Sequence, residues 1–89
     1  MITKSVTIKN ATGLHARPAS EFVQKAKSFR SSIFIHREEE EPTSAKSVIL
    51  LLSHGFCQGE RVYISAEGED AEDAVDALIE LIHSGFGEC

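Results

Sequence analysis

The sequence predicts an α+β fold in the order βαββαβα, one layer of sheet covered by helices on one face. Three observations predict it. Two stretches, 19–29 and 71–82, repeat apolar residues at helical spacing. Short β-branched or alternating runs surround them at 2–8, 32–36 and 61–66. The chain has 89 residues, enough for one modest core, and residues 1–89 are read as a single domain.

Each element has its own justification. Ile2 to Ile8 is rich in Thr and Val and reads as a strand, with Lys4 interrupting a strict alternation. Asn10 to Gly13 is turn-forming. Ala19, Phe22, Val23, Ala26 and Phe29 make one face of a helix, leaving Ser20, Glu21, Gln24, Lys25 and Lys27 for water. Pro18 suits the first turn of that helix and biases Arg17 away from helical geometry, so position 16 and position 18 both remain possible starts. Ser32 to His36 is a second strand, and the acids Glu38 to Glu41 form a solvated hairpin turn ahead of Pro42. A short third strand falls at Thr43 to Ala45.

The apolar run Val48 to Leu52 fits a short helix or a buried strand, and periodicity alone does not decide. Ser47 as an N-cap and Gly55 as a C-terminal stop favour the helix. Such a short helix cannot bury all five side chains against one sheet, so at least one is expected in solvent. In Arg61 to Ala66, Val62, Ile64 and Ala66 share a strand face. From Asp70 to His83, Ala71, Ala74, Val75, Leu78, Ile79 and Ile82 make an apolar stripe. Glu69, Asp70, Glu72 and Asp73 lie where a helix N-terminus favours acids.

Composition removes several function classes. A formal net charge of −5 argues against nucleic acid as a partner. The N-terminus lacks the apolar core of a signal peptide, and Val48 to Leu52 is too short to span a membrane. Cys57 and Cys89 form neither a metal spacing nor a disulfide framework and read as free thiols of a reducing cytoplasm. The sequence calls for no metal and no cofactor. His36, His54 and His83 share no motif and read as surface residues, with His54 the one to watch.

Chemistry concentrates in Asn10-Ala11-Thr12-Gly13-Leu14-His15-Ala16-Arg17-Pro18. A helix N-terminus offers backbone N–H donors without partners and a partial positive charge, and so suits phosphate. Gly13 allows a tight turn that presents His15, and a neutral imidazole is a competent nucleophile near neutral pH. Arg17 adds a permanent cation whose planar donor fork matches phosphoryl oxygens. Histidine, helix mouth and arginine together make a site for accepting and donating a phosphoryl group.

The string Gly13-Leu14-His15-Ala16-Arg17-Pro18-Ala19 resembles the active-site signature of HPr, the histidine phosphocarrier family of the phosphoenolpyruvate phosphotransferase system. The resemblance covers essentially the whole chain, which makes it one HPr-like domain. It implies an open-faced β-sandwich: a four-stranded antiparallel sheet with three helices on one face. It implies that His15 takes a phosphoryl group from enzyme I on its Nδ1 atom and passes it to an enzyme IIA. The backbone amides of Ala16 and Arg17 and the Arg17 side chain would surround that group. Such a protein is a phosphoryl carrier rather than a stand-alone catalyst, and a monomer.

Lys46-Ser47-Val48-Ile49 resembles the segment around the regulatory serine that HPr kinase/phosphorylase modifies in many members. Those members continue Ser-Ile-Met-Gly, whereas Ile49-Leu50 follows Val48 here. Ser47 is therefore either a possible phosphoserine or an unmodified helix cap. The interval from His15 to Ser47 is one residue longer than in sugar-system carriers. With the tail Ser84-Gly85-Phe86, this resembles the nitrogen-related branch, whose acceptor is an enzyme IIA of the nitrogen type rather than the sugar type. The resemblance also places Pro18, Val48, Ile49 and Leu52 on the partner-binding face. A reading of a different class is a regulatory binding module that keeps the fold and loses the histidine. The presence of both His15 and Arg17 favours the carrier.

Overall fold

The structure, a computed structural model, describes residues 1–87, so the expectation for Cys89 lies outside the described residues. Strand β1 (Ile2–Thr7) leads through a loop into helix α1 (Ala16–Lys27), then come strand β2 (Ser32–His36) and strand β3 (Thr43–Ser44). Helix α2 (Val48–His54), strand β4 (Arg61–Glu67) and helix α3 (Ala71–His83) follow, with a 3-10 turn at Gly85–Gly87. The sheet runs in the order β1-β4-β2-β3 with every neighbouring pair antiparallel.

The period-2 alternation of the strands divides the sheet cleanly. Val6, Ile33, Ile35, Val62, Ile64 and Ala66 are buried towards the helices. Thr3, Ser5, Phe34, His36 and Tyr63 occupy the opposite face, where the His36 and Tyr63 rings stack at 5.4 Å. Lys4 breaks the alternation because β1 is an edge strand. Its side chain sits on the helix side but reaches the rim, where Nζ bonds Asp76 Oδ1 of α3 at 2.6 Å.

Helix α3 packs across β1, β4 and β2, α1 packs on α3 and α2, and α2 packs on β3. The α1 stripe buries Ala19, Phe22, Val23 and Ala26, with Pro18 buried ahead of it, while Phe29 is half-buried just past the helix end. The α3 stripe buries Ala71, Ala74, Val75, Leu78 and Ile82 and leaves Ile79 half-buried. Phe86 closes the core from the C-terminal side and is itself buried. Each fully buried Leu, Ile or Phe stabilises the fold by about 1.5–3 kcal/mol, so this one cluster supplies most of the driving force.

Capping resolves the open choice at 48–52 in favour of the helix. The Ser47 hydroxyl accepts the Leu50 N–H at 3.2 Å, and Gly55 ends the helix in the left-handed region at φ 61°. Of the five apolar residues only Leu51 is fully buried. Val48 is half-buried, and Ile49, Leu50 and Leu52 are 77%, 41% and 44% exposed.

Asp70 stands at the N-terminus of α3, where the sequence reading puts it. It makes no side-chain cap bond to that helix. Its carboxylate instead accepts the backbone N–H groups of Arg30 and Ser31, both at 2.9 Å, and the Ser31 hydroxyl. The loop after α1 is thereby fastened to the mouth of α3. The Ser31 hydroxyl and the Arg30 amide hold the Asp70 carboxyl below the usual carboxylate range.

Candidate functional site

The loop between β1 and α1 is set from below. Asn10 Nδ2 donates to the Gly13 carbonyl at 2.8 Å, and the Gly13 N–H donates to the Asn10 carbonyl at 3.1 Å. The next amide, Leu14 N–H, donates to the Phe56 carbonyl at 3.0 Å, just past the end of α2. The Leu14 and Phe56 side chains are both fully buried in the core. Burial on both sides of this single hydrogen bond fixes where the following residue stands.

That residue is His15. It occupies the N-cap position of α1 with extended backbone (φ −127°, ψ 159°), and its ring makes no capping hydrogen bond. The half-buried ring is therefore available to a reaction partner. Ala16 follows with φ 51°, a left-handed conformation that costs a non-glycine residue about 1 kcal/mol. Chain direction thus changes sharply between His15 and the helix. The first turn carries no acid to neutralise the helix dipole, and Pro18 has no N–H to leave unpaired.

The Arg17 side chain is 77% exposed and rests against Glu21, Nε to Oε1 at 3.3 Å. An exposed i,i+4 pair is worth only about 0.3–0.5 kcal/mol, so the guanidinium is easily released to a stronger anion. His15, Ala16 and Arg17 stand together at one helix mouth, as the sequence expects. Pro18 does not belong with the exposed set. It is buried in the first turn, where its ring packs inward, and presents little surface to a partner. Ile49 and Leu52 remain the exposed part of that expectation, and Val48 packs half-buried against the core.

Sequence reasoning missed the group that supports this loop. Arg37, just past β2, donates from Nη2 to the carbonyls of His54 (2.8 Å) and Gly55 (3.1 Å) at the end of α2. Its Nε and Nη2 also engage both oxygens of Glu60, at 2.5 and 3.0 Å. Glu60 Oε1 accepts the Cys57 N–H at 2.6 Å. The guanidinium stands 4.6 Å over the Phe56 ring, against which the His54 ring stacks at 5.5 Å. The Arg37 guanidinium holds the Glu60 carboxyl below the usual carboxylate range. Cys57 is an exposed free thiol whose Sγ lies 3.1 Å from the Gly55 carbonyl. Among the described residues no helix is long and apolar enough to cross a membrane.

An open antiparallel sheet with three helices on one face, carrying a histidine at a helix mouth, is the architecture of small phosphoryl carriers. The family defined as the PTS HPr component phosphorylation site matches residues 2–84. The chain belongs to the HPr family, the phosphocarriers of the phosphoenolpyruvate phosphotransferase system. It is 39% identical over 85 residues to phosphocarrier protein NPr of Proteus mirabilis, covering 96% of this chain and 94% of that protein. The solved structure of HPr-C-His from Thermoanaerobacter tengcongensis matches with a TM-score of 0.95 at 47% identity, covering 100% of this chain and 99% of that one. The multiphosphoryl transfer protein of Haemophilus influenzae is 40% identical over 89 residues. That match spans 98% of this chain but only 18% of the larger protein's length.

Proposed function

We propose that residues 1–89 form one HPr-like domain in which His15 carries a phosphoryl group between two protein histidines. The observation that carries this reading is the His15 ring at the mouth of α1, extended in backbone and unused by the helix it caps. In the forward step the lone pair of neutral His15 Nδ1 attacks phosphorus as the P–N bond on enzyme I breaks. That bond's electron pair returns to the enzyme I ring, which leaves as neutral imidazole because its other nitrogen carries a proton. The Nε2 proton of His15 stays on the newly phosphorylated ring. The second step repeats the exchange onto a histidine of an enzyme IIA. No net hydrolysis occurs in either step.

The first-turn amides of Ala16 and Arg17 receive the phosphoryl oxygens, and the Arg17 guanidinium leaves its weak pair with Glu21 to join them. Ile49 and Leu52, exposed on α2, form the apolar centre of the docking surface for both partners. The carrier acts as a monomer in the cytoplasm and serves the nitrogen-related branch. The longer interval between His15 and Ser47 and the tail Ser84-Gly85-Phe86 support that branch over the sugar-transport one. Regulation by a serine kinase at Ser47 is the second reading. The Ser47 hydroxyl already serves as the cap of α2, which gives the residue a purpose without modification.

Incubation with phosphoenolpyruvate and enzyme I tests the proposal. Wild-type protein should acquire one acid-labile phosphate, and His15→Ala should fold normally and acquire none. Labelling of the alanine variant would refute the assignment. Transfer to a nitrogen-type enzyme IIA should outpace transfer to a sugar-type one, and the reverse order would assign the sugar branch.

A further inference from the structure

We propose that Arg37 and Glu60 are positioning residues for phosphoryl transfer at His15, acting through residues 54–57, on which the His15 loop is seated. The proposal rests on the reading of His15 as the phosphoryl acceptor. The two residues lie 23 positions apart, and neither belongs to the helix mouth.

Their contacts fall on one short stretch of backbone. Arg37 holds the carbonyls of His54 and Gly55, stands over the Phe56 ring, and grips Glu60 through two hydrogen bonds. Glu60 in turn holds the Cys57 N–H. Each of the four residues from His54 to Cys57 is thus fixed by the pair. The opposite side of the same stretch carries the loop. The Phe56 carbonyl accepts the Leu14 N–H at 3.0 Å, and Gly13 packs directly on Phe56 and Cys57. From Arg37 the chain of contact reaches the backbone of Leu14, the residue that precedes His15, in two steps.

Burial anchors the Phe56 side chain in the core, and the bonds of Arg37 and Glu60 to the backbone on either side of it set the direction of the Phe56 carbonyl that receives the Leu14 N–H. Residues 55–60 form a turn between α2 and β4, and a turn left to itself moves more than the elements it joins. Both side chains of the pair are only partly exposed, 24% for Arg37 and 31% for Glu60, and the bidentate geometry adds direction to charge. Phosphoryl transfer depends on in-line geometry, so a small displacement of His15 is costly even when binding is intact.

Arg37→Ala and Glu60→Gln test this, the second keeping an acceptor for the Cys57 N–H. Three quantities are read: transfer from enzyme I at saturation, the enzyme I concentration for half-maximal rate, and amide hydrogen exchange at Leu14 and Ile64. Arg37→Ala should lower the saturated rate about tenfold or more. The half-saturating concentration should change by no more than about twofold. Leu14 exchange should accelerate by a clearly larger factor than that of Ile64, in the middle of β4, whose exchange follows global stability. Glu60→Gln should fall between Arg37→Ala and the wild type in both rate and Leu14 exchange. A wild-type saturated rate and unchanged Leu14 exchange in Arg37→Ala would overturn the proposal. Equal acceleration at Leu14 and Ile64 would also overturn it, because it would reveal a plain loss of global stability. Failure of the wild type to label at His15 removes the phosphocarrier reading and this inference together. Labelling of the wild type with an unaffected Arg37→Ala removes the inference alone.

Discussion

Gly13 lies so close above Phe56 that a Cβ built on it would overlap the Phe56 carbonyl oxygen and stand 2.9 Å from Cys57 Cα. Gly13 also has φ 66°, so two independent constraints demand glycine there. The close approach lets the next amide, that of Leu14, reach the Phe56 carbonyl. The glycine ahead of the histidine is thus a contact between two loops as well as a turn.

Gly13→Ala should therefore harm stability and transfer together. The left-handed conformation and the overlap with backbone should together cost about 2–4 kcal/mol. Urea unfolding measures the loss, and enzyme I labelling should slow in the fraction that stays folded. A denaturation midpoint equal to that of the wild type would show that the two loops can separate freely.

Neighbouring residues of α2 should separate docking from folding. Leu51 is fully buried and Ile49 is 77% exposed. Leu51→Ala should cost about 2–5 kcal/mol of stability. Ile49→Asp should leave the unfolding free energy within about 0.5 kcal/mol of wild type. It should nevertheless raise the enzyme I concentration needed for half-maximal transfer at least about tenfold. Unchanged transfer in Ile49→Asp would place the docking surface elsewhere.

The sequence made some of this legible and hid the rest for physical reasons. The α1 and α3 stripes were readable because one face of each packs against the sheet and the other meets water. Helix α2 was readable only through its ends, where Ser47 bonds Leu50 and Gly55 turns left-handed. Sheet order was not readable by spacing, since β1 pairs with β4 in a register that joins Ile2 to Ala66 across most of the chain. The same limit hid Arg37 and Glu60: their partners are backbone carbonyls and an amide, which leave no mark in residue types. His15 and Arg17 were readable because a motif of consecutive residues carries them. The left-handed backbone of Ala16 between them was not, because alanine gives no signal for it.

Two carboxylates should shape the acid limb of stability. Glu60 and Asp70 both lie below their ordinary values of 4.5 and 3.8, the first through Arg37 and the second through the Ser31 hydroxyl and the Arg30 amide. A carboxylate lowered by folding stabilises the fold fully above its unfolded value, and that contribution drains away as pH falls through the folded one. Glu60→Gln and Asp70→Asn should each be less stable than wild type at neutral pH. Each gap should close as pH falls below the ordinary carboxylate range. Urea midpoints measured from neutral pH downward give the result, and a gap that stays constant with pH would assign the loss to packing instead.

Ser47 offers the sharpest separation of cap from docking. Its hydroxyl accepts the Leu50 N–H at 3.2 Å, so Ser47→Ala should cost on the order of 1 kcal/mol of stability. Transfer from enzyme I should stay nearly intact in that variant, because nothing on the exposed side of α2 changes. Aspartate caps helices as well as serine does, so Ser47→Asp should unfold close to the wild-type temperature. The new charge, however, stands one residue from Val48 and two from Ile49, where docking must strip away its water. That desolvation should slow transfer at least about tenfold, on the order of 1.4 kcal/mol. Stopped transfer in Ser47→Ala would mean that the hydroxyl itself takes part. Full transfer in Ser47→Asp would mean that partners approach His15 without covering the mouth of α2, and phosphorylation at Ser47 would then have no lever on the relay.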